Sequence, residues 1–243
     1  MKKKRAKIWI IIAAVIGVIL LVAVINFYPM LSMKPLSTGL IPGTDIYAVR
    51  TNINDMFLIK TAGGYIAIDA GASANAVQRG LEQLKIDAAD IFYVLLTHSD
   101  FDHTAALGLF ANAQICLGED ELQLLDGSAK RNSSGANSLP EGIDIQSLGL
   151  LYGGQMLYFG EDTILCLKAP GHTPGSMLYV LNGAYIFSGD AFRVSGKTIK
   201  THPFTMDEEQ SLLSISLIDD MLGKSRMVFT AHYGVHPAAD LYK

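Results

Sequence analysis

The chain has 243 residues, of which 50% are hydrophobic, 17% are charged and 23 are glycine. This composition can bury a sizeable core in one or two domains, and it excludes a disordered, collagen-like or disulfide-scaffolded chain. The two cysteines are too few for a structural zinc finger or an iron–sulfur cluster.

The formal net charge of −4 averages two unlike parts of the chain. The first 30 residues carry five basic and no acidic side chains, whereas the rest carry 14 basic and 23 acidic ones, a net charge of −9. Nucleic-acid binding depends largely on contacts of lysine and arginine with phosphates. The acidic body of the chain is therefore not expected to bind nucleic acid.

The N-terminal segment is predicted to be a membrane anchor. Residues 1–7 form a basic flank, and every residue over 8–25 is apolar. Because a helix of about 20 apolar residues spans the hydrocarbon core, we expect a transmembrane helix over 8–28 and a linker over 29–44. The basic flank would stay cytoplasmic and place the body outside, as a single-pass protein of the cell membrane. A cleaved signal peptide is the alternative, although the apolar run is longer than usual and no Ala-x-Ala site follows.

Residues 45–243 are predicted to form an α/β domain. Strands are expected at 46–50, 56–61, 65–69, 91–96, 114–117, 155–159, 163–168, 177–181, 184–188 and 226–230. Helices are expected at 73–85, 105–110, 119–125 and 207–221, and residues 126–142 read as a surface loop. Strand clusters followed by helices occur twice, which favours two sheets with helices outside them.

The two cysteines, Cys116 and Cys166, both lie in predicted strands. Outside the cytoplasm they could pair in a disulfide. Their apolar surroundings suit buried free thiols equally well. The sequence leaves both states open.

The densest cluster of ionisable residues directly follows the predicted strand 91–96. Four of its side chains can bind a metal ion within a span of six residues, namely His98, Asp100, Asp102 and His103. Neutral imidazole and carboxylate groups suit Zn²⁺, Fe²⁺ or Mn²⁺. A single aspartate here would be typical of a helix N-cap, but four such residues at this spacing indicate a metal site.

Three more candidate ligands follow predicted strands. His172 lies in a loop rich in glycine and proline, Asp190 follows strand 184–188, and His232 follows strand 226–230. Each alone would be typical of a loop residue, but together with the first cluster they form a specific joint pattern. Two other histidines, His202 and His236, are predicted to lie on the surface, with a position lining the pocket mouth as the alternative.

These segments resemble the metallo-β-lactamase-fold hydrolase superfamily, over essentially all of residues 45–235. The resemblance rests on Ile68–Gly71, Thr97–Thr104, Gly171–Gly175, Ser188–Asp190 and His232. It implies an αββα sandwich with two divalent metal ions at one edge of its two sheets.

The resemblance also implies a role for each ligand. His98, Asp100 and His172 would hold the first metal, and Asp102, His103 and His232 the second. Asp190 would bridge the two metals. Asp69 would support the metal loop, residues 97–104, without itself binding a metal. The family's usual loop is His-x-His-x-Asp-His, so Asp100 replaces the second histidine. Zinc is the expected metal. Iron and manganese are the alternatives, because a carboxylate is a harder ligand than an imidazole.

The function implied is that of a membrane-anchored, metal-dependent hydrolase acting through a metal-generated hydroxide on a small molecule. The substrate would be an ester, thioester, lactone, amide or phosphoester, entering past a rim of residues 126–142, 193–204 and Tyr233. Asp102 would be the catalytic residue, orienting the attacking water and passing its proton to the leaving group. The alternatives are a di-iron redox enzyme on the same fold and a catalytically silent binding domain. The oligomeric state is left open.

Overall fold

The computed structural model describes residues 2–131 and 137–242, with the side chains of 2–6, 8, 25–27, 29–30 and 220 left aside. The chain divides into two compact units, and the boundary along the sequence lies between residues 33 and 34. The first unit holds one helix, α1 (Lys2–Leu31). Over the residues described, no helix combines the length and the hydropathy needed to cross a membrane. The transmembrane helix predicted over residues 8–28 is therefore not supported by the structure.

The first sheet of the second unit pairs seven described strands in the order in which they occur along the chain. Neighbours from β1 to β4 are antiparallel, and neighbours from β4 to β7 are parallel. The strands are β1 (Gly39–Leu40), β2 (Ile46–Arg50), β3 (Asp55–Thr61), β4 (Gly64–Ile68), β5 (Ile91–Leu95), β6 (Gln114–Gly118) and β7 (Gly149–Leu151).

The second sheet has the strand order β15-β14-β11-β10-β9-β8. Among the described strands of this sheet, only the pair β11 with β14 is parallel. The strands are β8 (Met156–Phe159), β9 (Asp162–Lys168), β10 (Met177–Leu181), β11 (Tyr185–Phe187), β14 (Met227–Thr230) and β15 (Gly234–Pro237). A separate hairpin pairs β12 (Arg193–Ser195) with β13 (Thr198–Lys200).

The helices of this unit lie between the strands in sequence. They are α2 (Ala74–Leu84), α3 (Phe101–Thr104), α4 (Leu122–Leu125), α5 (Glu208–Leu217) and α6 (Asp219–Leu222), with 3₁₀ turns at Ala88–Asp90, Leu107–Leu109, Glu119–Glu121, Ile145–Ser147 and Ala238–Asp240. Two of these helices have side-chain N-caps, because Ser73 accepts the Ala76 N–H in α2 and Asp207 accepts the Gln210 N–H in α5. These side chains satisfy amide groups that the first helical turn leaves unpaired.

Three apolar layers explain how these elements pack. Alternate residues of the strands point to opposite faces of a sheet, so in β3 Phe57 joins the layer between the two sheets while Leu58 packs under α2. A third layer lies between the second sheet and α5, with Ile215 among its members. The order helix, sheet, sheet, helix confirms the predicted αββα sandwich.

Three details differ from the sequence prediction. The helix expected at 105–110 instead forms as α3 inside the metal loop, followed by a 3₁₀ turn. Part of the predicted linker is structured, because the Lys34 N–H donates to the His232 carbonyl and the Leu36 N–H donates to the Asp55 carboxylate. Several short strands, β7 among them, were not predicted, since three residues carry too little periodicity to be recognised.

The state of the cysteines, which the sequence left open, is that of free thiols. Cys116 and Cys166 are both buried and unbridged. They lie in the apolar layer between the two sheets. Burial raises the pKa of Cys116 to about 11 and that of Cys166 to about 12, so both thiols stay protonated at neutral pH.

We predict that the aromatic contact between the sheets is a main source of stability. The Phe57 ring lies 5.6 Å from the Phe187 ring and 5.4 Å from the Phe229 ring, between centroids. Phe57→Ala should lower the free energy of unfolding by about 3–5 kcal/mol, because it leaves a cavity in a closely packed layer. Denaturant unfolding followed by circular dichroism measures this loss.

The matched control is Tyr158→Ala, which removes an aromatic ring that is 73% exposed in β8. This change should shift the unfolding free energy by no more than about 0.5 kcal/mol. Equal losses for the two variants would contradict the role given to the layer between the sheets.

Candidate metal centre

The candidate ligands come together because they follow the carboxyl ends of strands in both sheets. The metal loop follows β5, His172 follows β9, Asp190 follows β11 and His232 follows β14. Face-to-face packing of the sheets brings these ends to one edge of the sandwich. All seven predicted ligands lie in the resulting cluster.

The centre of the cluster is the carboxylate of Asp190, which is only 4% exposed. Its Oδ2 atom lies 3.3 Å from the Nε2 atom of His232, 3.5 Å from that of His202, and 3.6 Å from those of His103 and His172. Four imidazole rings thus face one buried carboxylate oxygen.

Hydrogen bonds at Nδ1, on the side of the ring away from Asp190, orient two of these rings, His103 and His232. Asp69, itself buried, lies 2.8 Å from His103 Nδ1 and also accepts the Thr97 N–H at 2.7 Å. The Ile53 carbonyl lies 3.0 Å from His232 Nδ1. With the Nδ1 hydrogen donated outward, each Nε2 atom points into the cluster, as metal ligation requires. Asp69 thus occupies the supporting position that the family resemblance implied.

The remaining ligands form two groups around this centre. In one, Asp100 Oδ2 lies 3.4 Å from His98 Nε2 and 3.3 Å from His172 Nε2. In the other, Asp102 Oδ2 lies 3.2 Å from His232 Nε2 and 3.7 Å from His103 Nε2. The two groups contain the residues that the family resemblance assigned to the first and the second metal.

The donor set fits divalent metal ions. The Nε2 atoms of His98 and His103 are buried and have no hydrogen-bond partner in the described part of the chain. Buried polar atoms without a partner are rare in proteins and require an explanation. Two donors that each lie about 2.0–2.2 Å from a tetrahedral ion are about 3.3–3.6 Å apart, close to the separations observed here.

The electrostatics divide the histidines into two kinds. Burial lowers the pKa of His172 to about 4 and also lowers the pKa of His202, so both rings are neutral at neutral pH. Burial opposes charge on His232 too, but the carboxylates of Asp190 and Asp102 outweigh it and raise its pKa to about 10. A metal ion that binds this ring must displace its proton.

His202 corrects the sequence analysis, because its predicted surface position is wrong. The side chain is 3% exposed, and both ring nitrogens are buried without a hydrogen-bond partner in the described residues. Together with His172 and Asp190 it forms a further group that could hold a metal ion. It lies between β13 and α5, in a segment where no strand and no motif was predicted from the sequence. His236, by contrast, is half-buried and contacts the Tyr233 carbonyl.

Glu121 is a second residue that the sequence analysis missed. Its carboxylate is fully buried and accepts four hydrogen bonds, from the N–H and the hydroxyl of Ser99, the hydroxyl of Thr173 and the N–H of Gly175. A Cβ at Gly175 would overlap the Glu121 backbone, so only glycine fits there. Glu121 therefore ties the metal loop to the loop that carries His172.

Two side chains of the predicted rim hold Asp100. Arg131 Nη2 lies 2.8 Å from Asp100 Oδ2, and Asn137 Nδ2 donates to Asp100 Oδ1 at 2.9 Å. The residues between them, 132–136, lie outside the described part of the chain. Phe204, from the other rim segment, is 49% exposed beside His202. The sequence analysis assigned Arg131 and Asn137 to the substrate rim without predicting a contact with a ligand.

Comparison with known proteins agrees with this geometry. The family model described as the metallo-beta-lactamase superfamily matches residues 49–232. The uncharacterized protein YobT of Bacillus subtilis (strain 168) is 28% identical over 187 residues, which cover 68% of this chain and 77% of that protein.

Solved structures share the fold. A metallo-β-lactamase of Cronobacter sakazakii with a HARLDQ motif superposes with a TM-score of 0.64 at 22% identity, covering 84% of this chain and 81% of that one. MEM-A1, a subclass B3 metallo-β-lactamase from a soil metagenome library, gives a TM-score of 0.63 at 17% identity, covering 83% and 81%.

We predict that Glu121 is required to hold the two ligand loops together. Glu121→Ala should lower the free energy of unfolding by about 2–5 kcal/mol, because it leaves buried donors on Ser99, Thr173 and Gly175 without an acceptor. It should also weaken metal binding by about 10–100-fold, as the loss of a ligand-supporting group does. Denaturant unfolding and competitive metal titration measure the two effects.

Glu119→Ala is the matched control, since Glu119 is a nearby glutamate on the surface that pairs with Lys168. An exposed pair of this kind contributes about 0–1 kcal/mol, and its loss should leave metal affinity unchanged. If Glu121→Ala behaved like Glu119→Ala, the linking role of Glu121 would be wrong.

Proposed function

The chain belongs to the metallo-β-lactamase superfamily and is a metallo-hydrolase, and from this premise we propose that it hydrolyses a small molecule at the cluster around Asp190. The bond cleaved is that of an ester, thioester, lactone, amide or phosphoester. The observation that carries the proposal is the convergence of four imidazole Nε2 atoms on one buried carboxylate oxygen. Such a set of donors has the chemistry of a metal site rather than that of a stable core.

The metal ions would be held by the two triads at the sheet edge. His98, Asp100 and His172 form the first triad, and Asp102, His103 and His232 form the second, with Asp190 between them. A divalent ion bound there supplies Lewis-acid activation of water and of the substrate's carbonyl or phosphoryl oxygen. We propose zinc on the strength of the imidazole ligands, with iron or manganese as the alternatives that a carboxylate at Asp100 favours.

Asp102 is the proposed general base and acid. Its side chain is 23% exposed, whereas the side chain of Asp190 is 5% exposed, so Asp102 is the more accessible to water and substrate. Burial raises the pKa of Asp102, but the charge of His103 and the hydrogen bond from His232 lower it to about 2. The carboxylate is therefore ionised at neutral pH, where it can accept a proton from the attacking water and return it to the leaving group.

Other parts of the site bind and orient the substrate. Phe204 offers an exposed apolar surface next to His202, and the aromatic ring of Tyr233 lies 6.3 Å from the His232 ring, between centroids. The direct attack of an activated water requires no serine or cysteine nucleophile. We therefore propose direct attack of water on the substrate without a covalent enzyme intermediate.

We predict that hydrolysis depends on both metal and Asp102. The full-length chain, loaded with Zn²⁺, should hydrolyse at least one member of a panel of esters, thioesters, lactones, amides and phosphodiesters. EDTA should abolish this activity, and added Zn²⁺ should restore it. Asp102→Asn should lower kcat by about 10²–10⁴-fold, because the amide cannot accept the proton of water.

Asp120→Asn serves as the control, because Asp120 is a partly exposed carboxylate, paired with Lys168, that takes no part in the cluster. This variant should keep the wild-type rate. Activity that survives EDTA, or an Asp102→Asn variant with the wild-type kcat, would contradict the proposed reaction. Iron in the purified protein with reversible redox cycling would favour the di-iron alternative instead.

For the location of the protein, we propose the cell membrane, with the N-terminus cytoplasmic and the catalytic domain outside. This proposal rests on the sequence of residues 1–28, in which five basic residues precede an apolar run. Phosphatase and fluorescent reporters fused after Lys243 provide the test. The phosphatase fusion should be active and the fluorescent fusion dark, since each reporter works on one side of the membrane only; the opposite result would refute this topology.

A further inference from the structure

The first triad differs from the second by a permanent cation that contacts two of its three ligands, Asp100 and His172. The guanidinium of Arg131 is 12% exposed and Nη2 lies 2.8 Å from Asp100 Oδ2. The same Nη2 lies 3.1 Å from His172 Nε2 and donates to the Phe204 carbonyl at 3.0 Å. Nη1 donates to the His172 carbonyl at 2.6 Å. Asp100, His172 and Phe204 share the two hydrogens of Nη2, and the His172 carbonyl accepts from Nη1, so the guanidinium is held by acceptors on three residues.

The contact with His172 decides what this position can do. An unprotonated imidazole nitrogen has one lone pair. Because a guanidinium can only donate, the His172 Nε2 atom facing Arg131 at 3.1 Å must offer its lone pair, and that lone pair either accepts the Arg131 N–H or binds a metal ion but cannot do both. Arg131 and the first metal therefore compete for the same atom.

Both carboxylate oxygens of Asp100 also have partners other than a metal ion. Its Oδ2 faces Arg131, and its Oδ1 accepts a hydrogen bond from Asn137, which also donates to Ser99 Oγ at 2.8 Å. A guanidinium keeps its positive charge at any physiological pH. It neutralises the carboxylate that would otherwise attract a divalent ion, and it repels that ion.

Among the described residues, the second triad has no such competitor. In the described part of the chain, all salt bridges of Asp102 and Asp190 run to histidines. Histidine can lose its proton when a metal binds, whereas arginine cannot. The two halves of the site therefore differ in the kind of positive charge that balances their carboxylates.

We infer that Arg131 takes the place of the first metal ion, so that the chain binds one divalent ion tightly at Asp102, His103, His232 and Asp190. A second ion binds at the first triad only by displacing the guanidinium. This inference rests on the metal-dependent hydrolase proposed above, and it makes Arg131 the residue that sets how many metal ions the site holds.

The test is the binding of Zn²⁺ alone to the metal-free, full-length chain, by titration against a competing chelator, with metal content measured after dialysis. The wild type should hold one tight equivalent, with any second equivalent at least roughly tenfold weaker. In Arg131→Met the second equivalent should bind at least roughly tenfold more tightly than in the wild type, since the lone pair of His172 and the charge of Asp100 are released.

Two further variants separate the causes. Lys130→Met removes a positive charge from the exposed neighbour of Arg131 and should bind metal like the wild type. Arg131→Lys keeps the charge but loses the planar fork, so its second equivalent should have intermediate affinity. Thermal unfolding shows whether each variant is folded. The number of tightly bound Zn²⁺ equivalents in the wild type tests the inference even if a variant does not fold.

Two equally tight equivalents in the wild type would overturn the inference and leave the proposed hydrolase standing. So would an Arg131→Met variant that is folded and binds Zn²⁺ as the wild type does. If neither protein bound Zn²⁺, the inference and the proposed function would both fail. Metal content is measured without any substrate, so a failure to find the right substrate does not affect these outcomes.

Discussion

A carboxylate removed from water needs positive charge or hydrogen-bond donors around it, and the structure of this site follows from how that need is met at Asp190. The oxygen Oδ2 faces four imidazole rings that come from four different loops. A buried, unpaired carboxylate would be strongly destabilising. The loops must therefore hold their histidines close to Asp190 whether the balancing charge is a proton or a metal ion.

The layers behind the site make this arrangement rigid. Asp69 holds His103 from the first sheet, and Glu121 joins the metal loop to the loop of His172. The aromatic contact of Phe57 with Phe187 and Phe229 joins the two sheets directly. Because the ligands follow strands of both sheets, packing between the sheets sets the distances on which metal binding depends.

Arg131 shows how one fold can change its metal chemistry through a loop. The usual second histidine of the family's motif is Asp100 here, and the carboxylate recruits a guanidinium that a neutral imidazole would not attract. The substitution in the motif and the arginine some thirty residues later are thus parts of one arrangement. The motif alone contains the altered ligand, Asp100, whereas its partner, Arg131, is visible only in the structure.

The sequence by itself determined most of the long strands and an arrangement of two sheets with helices outside, because apolar periodicity marks these elements. The αββα sandwich followed from the family resemblance, and the seven candidate ligands were marked by their positions after predicted strands. It did not reveal the roles of His202, Glu121 or Arg131, which lie in loops and short turns without a local pattern. Their partners are distant along the chain; Arg131, for example, contacts His172 across 41 residues. Only the tertiary structure decided which of the donors face Asp190 and which are engaged by arginine, since the packing of two sheets brings together loops that no spacing in the sequence connects.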